Sequence, residues 1–189
     1  MRVDLVPYDP EWPRLFAAFG ADLRRSVMDQ SVPGVAPRLV AIHHIGSTSV
    51  PGLAAKPVID IQLTVDSFEP FEPLREAIEV HGYRFSPHND DRRKRFFDLT
   101  TPGGVRSVNL HVRVEGEFSQ RAALLFRDHL RAEPFAMQRY ESTKRELATQ
   151  DWEDVDTYAD AKGDTVWQLL READVWSQSR AWSPGPSDA

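Results

Sequence analysis

Hydrophobic and polar residues alternate along residues 58–65 and 105–114 in the manner of half-buried β-strands. Aliphatic residues occupy one face of the first segment, while Asp60 and Gln62 lie on the other, because successive side chains of a strand point to opposite faces. The second segment alternates in the same way. Both strands are therefore predicted to pack one apolar face against a core.

Other segments have the spacing of helices and of shorter strands. Apolar residues recur at intervals of three and four residues where we predict helices, at 10–29, 70–81, 119–131, 134–150 and 155–175. Further strands are predicted at 39–45, 83–85 and 95–100. Loops and turns are predicted at 31–37, at 46–52 (with room for one helical turn) and at 102–104. A mixed first part followed by a helical C-terminal third indicates an α+β fold.

The composition narrows the range of functions. The 189 residues, of which 41% are hydrophobic, suit one packed domain, which we place at residues 1–176. The formal net charge of −6 lacks the basic footprint of a nucleic-acid-binding chain, so nucleic acid is disfavoured as a partner. Cysteine is absent, which excludes disulfides, thiolate metal sites and a cysteine nucleophile. Any metal ion must be held by oxygen atoms and imidazole nitrogens.

Neither a targeting segment nor a membrane anchor is predicted. The first residues lack the basic-then-apolar pattern of a signal peptide, and no apolar run approaches the roughly 18 residues that span a bilayer. We therefore expect a cytoplasmic protein without a membrane partner. Residues 177–189 are rich in serine and proline and are expected to form a disordered tail.

The most informative stretch is a glycine-serine turn followed by a lysine. Gly46 lets the backbone approach a ligand closely, Ser47, Thr48 and Ser49 supply hydroxyl groups, and Lys56 supplies a positive charge. If a helical turn begins here, its free N–H groups suit a phosphate group. An ordinary turn, in which Ser47 or Thr48 caps a helix, explains the same residues without a ligand. The residues alone leave both interpretations open.

Asp60 lies on the polar face of its strand. A carboxylate in this position can hold Mg²⁺ together with phosphate oxygens and water, or it can simply be solvated. If the two alternating strands belong to one sheet, its second face carries Asp60, Gln62, Asn109, His111 and Arg113. That face resembles the floor of a cleft, in which His111 is a candidate general base. A solvated sheet face explains the alternation equally well.

Other basic residues also have two interpretations. The run Arg-Arg-Lys-Arg at 92–95 either clamps phosphate groups, for which guanidinium groups are suited, or is a solvated strand end. Lys144 and Lys162 lie on different predicted helices, from which both can reach the cleft. His43 and His44 precede the turn, and we expect them to form structural hydrogen bonds.

The string HIGSTSVPGLAAKPVIDI at residues 44–61 is similar to the signature of the GrpB family, and the resemblance extends over residues 8–173. A long string of this kind is specific. Further matching positions are Arg93, Phe96, 110–112, 126–131, Tyr140, Lys144, Tyr158 and Lys162.

The resemblance implies a nucleotidyltransferase-like fold of the polymerase-β type, with a mixed β-sheet flanked by helices. In that superfamily a Gly-Ser turn handles a nucleoside triphosphate, and a nearby strand supplies carboxylates for two metal ions that promote in-line displacement at phosphorus. Gly46 and Ser47 match the turn, with Thr48, Ser49 and Lys56 beside it. Asp60 matches the first carboxylate, and we take Asp60 and His111 as the catalytic and metal-binding pair. The match of Arg93 indicates a phosphate contact.

The sequence also departs from the pattern of the superfamily. Gln62 stands where a second carboxylate is expected. The position of the third carboxylate of the superfamily has Asp98 and His111 as candidates. Imidazole suits Mn²⁺ or Zn²⁺ better than Mg²⁺. Three functions therefore remain: a metal-dependent nucleotidyltransferase acting on an unknown acceptor, an inactive module that binds a nucleotide or a coenzyme A precursor, and an interaction protein. The coenzyme A connection rests on GrpB-like domains joined to dephospho-coenzyme A kinases in some bacteria, although this sequence has no kinase P-loop.

Overall fold

The computed structural model describes residues 1–30, 36–87 and 93–189. Within these ranges five strands form one mixed sheet in the order β1-β2-β5-β4-β3. The strands are β1 (Leu39–Ile45), β2 (Ile59–Val65), β3 (Arg84–Ser86), β4 (Lys94–Thr100) and β5 (Arg106–Val114). β2 and β5 run parallel, whereas the other neighbouring pairs run antiparallel. The two strands with alternating residues are therefore adjacent at the centre of the sheet.

Helices precede, interrupt and follow the strands. They are α1 (Trp12–Gln30), a single helical turn (Ser47–Ser49), α2 (Phe71–Glu79), α3 (Phe118–Ala132), α4 (Pro134–Ala148), α5 (Val155–Ala161) and α6 (Gly163–Ser179). This arrangement confirms the α+β class and the helical C-terminal third. The single helix expected at 155–175 is two helices, which meet at Lys162 and Gly163. A glycine inside a helix is destabilising, which is consistent with a break between the helices at this point.

The first face of the sheet packs against α1 and α2 and forms the main core. Ile61, Leu63 and Leu110 are fully buried there, together with Leu23 and Ile78 from the two helices. Each such side chain stabilises the fold by roughly 1.5–3 kcal/mol because it leaves water. A smaller apolar cluster lies under the helical third, with Leu53, Leu130 and Leu169 at its centre.

The second face of the sheet is covered rather than solvated over much of its length. Gln62 and Thr64 of β2 are fully buried. The amide of Gln62 donates a hydrogen bond to the backbone carbonyl of Gln120 in α3, at 3.3 Å. Helix α3 therefore lies over this half of the second face, and the end of β2 that carries Asp60 remains open.

The C-terminal segment differs from the expectation of a disordered tail at 177–189. Helix α6 continues to Ser179, and the residues after it run back to β1, one of the two edge strands of the sheet. The backbone N–H of Asp188 donates to the carbonyl of Ile42 at 2.9 Å, and the hydroxyl of Ser187 accepts from the N–H of Ile42 at 2.9 Å. An edge strand has unpaired backbone groups, and these supply the partners that composition does not reveal.

Of the helices in the described parts of the chain, none is long and apolar enough to cross a bilayer.

Candidate functional site

The glycine-serine turn lies directly on Asp60. Gly46 has φ 69° and ψ −173°, a combination that residues other than glycine rarely adopt. A Cβ atom added at this position would collide with the carboxylate of Asp60. Glycine is therefore required at position 46 both by the backbone conformation and by the close approach of the turn to β2.

Hydrogen bonds fix the shape of the turn from within. The hydroxyl of Ser49 donates to the carbonyl of Gly46 at 2.6 Å, and Thr48 shares a hydrogen bond of 3.0 Å with Nε2 of His44. Ser49 is buried and does not line the cleft described below, although it was predicted to contact phosphate. Thr48 does line the cleft, but its hydroxyl is engaged by His44. Of the three hydroxyl residues, Ser47 is the half-buried one on the cleft wall.

Two arginines of α3 hold the turn from outside. The guanidinium group of Arg131 donates twice to the carbonyl of Ser49, at 2.9 and 2.8 Å. Arg127 donates to the carbonyl of His44 at 3.1 Å and pairs with Asp188 at 2.8 Å. The position of the turn therefore depends on the helical third and on the C-terminal segment.

A cleft of about 730 Å³ opens in front of the turn and of Asp60. Its walls come from the turn, from β2, β4 and β5, and from helices α4 and α5. Five cationic residues line it: Lys56, Lys94, Arg106, Lys144 and Lys162. The carboxylates that line it are Asp60, Asp156 and Asp160. The excess of positive charge suits an anionic ligand.

Asp60 has two polar neighbours on β5, one hydrogen-bonded to it and one nearby. Nδ2 of Asn109 donates to Oδ1 of Asp60 at 2.8 Å, and Nε2 of His111 lies 3.7 Å from the same oxygen. Burial alone raises the pKa of Asp60, but His111, Asn109 and Lys56 together hold that pKa below its ordinary value. Burial also lowers the pKa of His111 although Asp60 opposes it. At neutral pH the pair is therefore a carboxylate beside a neutral imidazole.

Gln62, in the position of the expected second carboxylate, does not reach the cleft. Its amide oxygen accepts a hydrogen bond from the guanidinium group of Arg113, and its nitrogen donates to Gln120. The side chain is fully buried under α3. The residue two positions after Asp60 therefore serves the packing of α3 on the sheet.

The donor atoms around Asp60 fit one divalent cation and not a pair. Among the described residues, no group of three or more His, Asp or Glu side chains is arranged to hold a metal ion. Asp60 and His111 supply two ligand groups 3.7 Å apart. Oδ1 of Asn109 is buried beside them and has no hydrogen-bond partner among the described residues. The remaining ligands of a single ion would have to come from a bound phosphate group and water, as is usual for Mg²⁺.

Lys144 connects α4 to the turn. Its side chain is buried, and Nζ donates to Oγ of Ser47 at 3.2 Å and to the carbonyl of Ala54. Burial, and next the charge of Lys162, lower the pKa of Lys144 to about 7. Burial, and next the charge of Lys56, lower the pKa of Lys162 to about 8. The sequence placed both lysines within reach of the cleft, and the structure brings both to it.

The basic run at 92–95 contributes less than its sequence indicates. Lys94 lines the cleft, whereas Arg93 and Arg95 do not, and Arg92 lies outside the described residues. The guanidinium group of Arg95 lies over the ring of Phe68, 4.4 Å from its centroid. Of the described members of this run, Lys94 alone lines the cleft, and the sequence could not single it out.

Sequence reasoning missed Arg106 and the role of two tyrosines. Tyr140 and Tyr158 are buried in the cleft wall, and the ammonium groups of Lys144 and Lys162 lie 4.9 and 4.4 Å from their respective ring centroids. Tyr140 and Lys144 are four residues apart on α4, a spacing that places both on one helix face. That spacing was visible in the sequence, whereas the approach of α4 to the turn was not.

Comparisons with known proteins identify the family of this chain. A family profile described as GrpB protein matches residues 2–172. A UPF0157 protein of Streptomyces coelicolor is 36% identical over 173 residues, which cover 92% of this chain and 85% of that protein. A dephospho-CoA kinase of Mycolicibacterium paratuberculosis is 33% identical over 207 residues, and the match covers 96% of this chain but only 48% of the kinase. This chain therefore spans about half the length of that relative.

The fold has a counterpart among solved structures. The crystal structure of the conserved protein GrpB from Enterococcus faecalis aligns with a TM-score of 0.77 and 26% sequence identity. The alignment covers 92% of this chain and 99% of that chain. With the family match over residues 2–172, this agreement shows that the chain belongs to the GrpB family.

Proposed function

We propose that the cleft binds a nucleoside triphosphate and transfers its nucleotidyl group to the hydroxyl group of an acceptor. The observation that carries the proposal is the packing of the Gly46 turn directly against Asp60, at the end of a cleft with five cationic residues. A glycine-serine turn suited to phosphate and an ionised carboxylate beside one cleft support this proposal. The proposed substrate is a nucleoside triphosphate of the bacterial cytoplasm, so we propose that the protein is located there.

In this proposal each group in the cleft has a role. Ser47 and Lys56 bind the phosphate chain, with Lys144 and Lys162 behind them. A Mg²⁺ or Mn²⁺ ion, held by Asp60 and His111, would supply positive charge to the phosphate oxygens. One nitrogen cannot serve both roles, so where Asp60 and water hold the ion instead, the neutral imidazole of His111 is suited to accept the proton of the attacking hydroxyl group. The acceptor oxygen forms the new bond to the α-phosphorus, and the bond from that phosphorus to the bridging oxygen breaks, so that pyrophosphate leaves with the electron pair.

A second candidate function is a binding module that retains the ligand without transferring it. The burial of Gln62 under α3 favours this alternative, because a second metal ion then lacks its carboxylate. The relative described as a dephospho-CoA kinase makes a coenzyme A precursor a ligand to include in the tests. Such precursors share phosphate groups with nucleotides, so the same cationic cleft suits them.

The first experiment measures thermal unfolding with nucleoside triphosphates and coenzyme A precursors, each with and without Mg²⁺ or Mn²⁺. A ligand at about 100 times its Kd stabilises the folded protein by roughly 2.7 kcal/mol, which gives a readable shift. The stabilising nucleotide is then supplied with a label on its α-phosphate, and labelled product is sought with the wild type and with Asp60→Asn.

The matched control is Asp98→Asn. Asp98 is a buried carboxylate on β4 that bonds to Arg84 and Thr100 and does not line the cleft. Loss of labelled product in Asp60→Asn but not in Asp98→Asn supports the transferase. Binding without any labelled product supports the binding module. Turnover that survives in Asp60→Asn refutes the role of Asp60.

A further inference from the structure

The two basic residue types are distributed very unequally in this protein. The sequence has 4 lysines and 19 arginines. All four lysines line the cleft, whereas Arg106 is the one arginine that lines it among the described residues. Arginine keeps its charge in proteins, but a buried lysine can lose its proton near neutral pH. The cleft is therefore built from the basic residue whose charge depends on its surroundings.

The surroundings of Lys144 do not supply a compensating carboxylate. Its nearest acidic neighbour on α4 is Glu141, which pairs instead with Arg145 at 2.6 Å. Nζ of Lys144 bonds to the uncharged oxygens of Ser47 and Ala54. Among the described residues, Lys144 has no ion pair with a carboxylate. Its charge is therefore balanced only when an anion enters from the cleft.

Lys162 and Lys56 share one aromatic surface. Their ammonium groups lie 4.4 and 5.5 Å from the centroid of the Tyr158 ring. The two positive charges oppose each other, and Asp60 is the carboxylate that attracts both. Asp156 also attracts Lys56 and Arg106 opposes it, so three cationic groups face two carboxylates and leave an excess of positive charge at this end of the cleft.

We propose that Lys56, Lys144 and Lys162, here called the lysine cluster, bind a ligand with two or more linked phosphate groups and take up protons as it enters. The nucleotide identity of that ligand rests on the proposed function, whereas the proton uptake rests on the lysine cluster itself. In this arrangement the ammonium groups of the lysine cluster neutralise much of the negative charge of the phosphate groups. A second metal ion would otherwise be needed for that purpose.

The charges that face each lysine determine whether ligand binding strengthens or weakens as the pH changes. Lys144 faces Lys162, with Glu141 and Arg145 on its own helix, and Lys162 faces Lys56 and Asp60. In the free protein the pKa of Lys144 is about 7 and that of Lys162 about 8, so both are partly deprotonated at pH 8. A polyphosphate favours their charged forms and raises both values. Binding should therefore tighten as the pH falls, by about tenfold per pH unit when one proton is taken up.

The first test observes the lysines directly. Protein with ¹³C at the lysine ε-carbon gives one signal for each of the four lysines, and Lys144→Arg and Lys162→Arg assign two of them. In the free protein these two signals should titrate with midpoints near pH 7 and pH 8. Saturating tripolyphosphate should raise both midpoints, and so should saturating ATP. EDTA is present in both experiments. Titration of all four lysines at the ordinary value overturns the inference, as do midpoints that neither anion moves.

The second test measures protons by calorimetry at pH 8 in buffers of different ionisation enthalpy, with ATP and EDTA. The wild type should take up on the order of one proton per ATP bound. Lys162→Arg should bind ATP but take up fewer protons, because arginine is already charged. Lys162→Met should bind ATP more weakly. Lys162 is half-buried, so it provides a safer variant than the buried Lys144 if Lys144→Arg fails to fold.

The outcomes separate this inference from the proposed function. Proton-linked binding of tripolyphosphate without affinity for ATP supports the lysine cluster and contradicts the nucleotide assignment. Proton-linked ATP binding without transfer of label contradicts only the transferase. Transfer of label by a protein whose ATP affinity is the same at pH 7 and pH 9 supports the transferase and overturns the inference.

Discussion

Gly46→Ala tests whether the turn and Asp60 form one structural unit. The backbone conformation at Gly46, with φ 69° and ψ −173°, makes alanine unfavourable by about 1–3 kcal/mol. The added Cβ also lies 2.8 Å from both Cβ and Cγ of Asp60, so the carboxylate has to move. Displacing it breaks the hydrogen bond from Asn109, which destabilises the folded protein by roughly another 1–3 kcal/mol.

Gly52→Ala is the matched control for this variant. Gly52 also has a positive φ, 83°, but a Cβ at this position would meet no atom within 4 Å. The control therefore retains the conformational penalty and omits the collision. Urea denaturation of both variants should show that Gly46→Ala loses about 1–3 kcal/mol more free energy of unfolding than Gly52→Ala.

Ligand binding provides an independent readout of the same contact. Gly46→Ala should lose the thermal shift produced by a nucleoside triphosphate, whereas Gly52→Ala should keep it. Equal losses of stability in the two variants, together with an unchanged thermal shift in Gly46→Ala, would refute the view that the turn and Asp60 depend on each other.

Three further predictions concern stability and metal binding. Burial lowers the pKa of His44 to about 4, so the free energy of unfolding should fall by about 3 kcal/mol between pH 6.5 and pH 4, because the unfolded chain binds the proton first. Urea titrations at several pH values check this, and a slope that persists unchanged in His44→Gln would contradict it. Asp188→Asn removes one of the two carboxylates that pair with the buried Arg127, and it should destabilise the protein by about 1–3 kcal/mol in the same assay. Gln62→Glu should not increase the affinity for Mn²⁺ in calorimetry, because its side chain faces Arg113 under α3, and a clear gain would show that residue 62 reaches the cleft.

The elements of the fold were predictable because their signals are local. Alternation of apolar residues identified β2 and β5, and helical spacing identified α1 to α4 to within a few residues. The division between α5 and α6 was missed, since apolar residues continue at helical spacing across it. The parallel pairing of β2 with β5 was likewise not encoded in either strand alone, because it depends on contacts between distant parts of the chain.

The candidate site was predictable where one short string carries it. Gly46, Ser47, Lys56 and Asp60 fall within fifteen consecutive positions, and the structure brings all four to the cleft or its wall. The burial of Gln62 could not be predicted, because alternation gives the face of a strand but not the element that covers that face. The C-terminal segment was misjudged for a related reason: the side chains of Ser187 and Asp188 bond to backbone groups of β1, and composition does not report which distant strand a segment meets.

The return of the C-terminal segment to β1 has a consequence for how this protein folds. Ser187 bonds to Ile42 across 145 positions of sequence, so two distant parts of the chain must meet before this edge of the sheet is closed. Contacts between such distant residues form slowly, since the entropy of closing the intervening chain is lost first. Until they form, β1 presents an unpaired edge on which a second molecule can add a strand. Refolding at high protein concentration should therefore favour aggregates, and most strongly in variants whose C-terminal segment cannot reach β1.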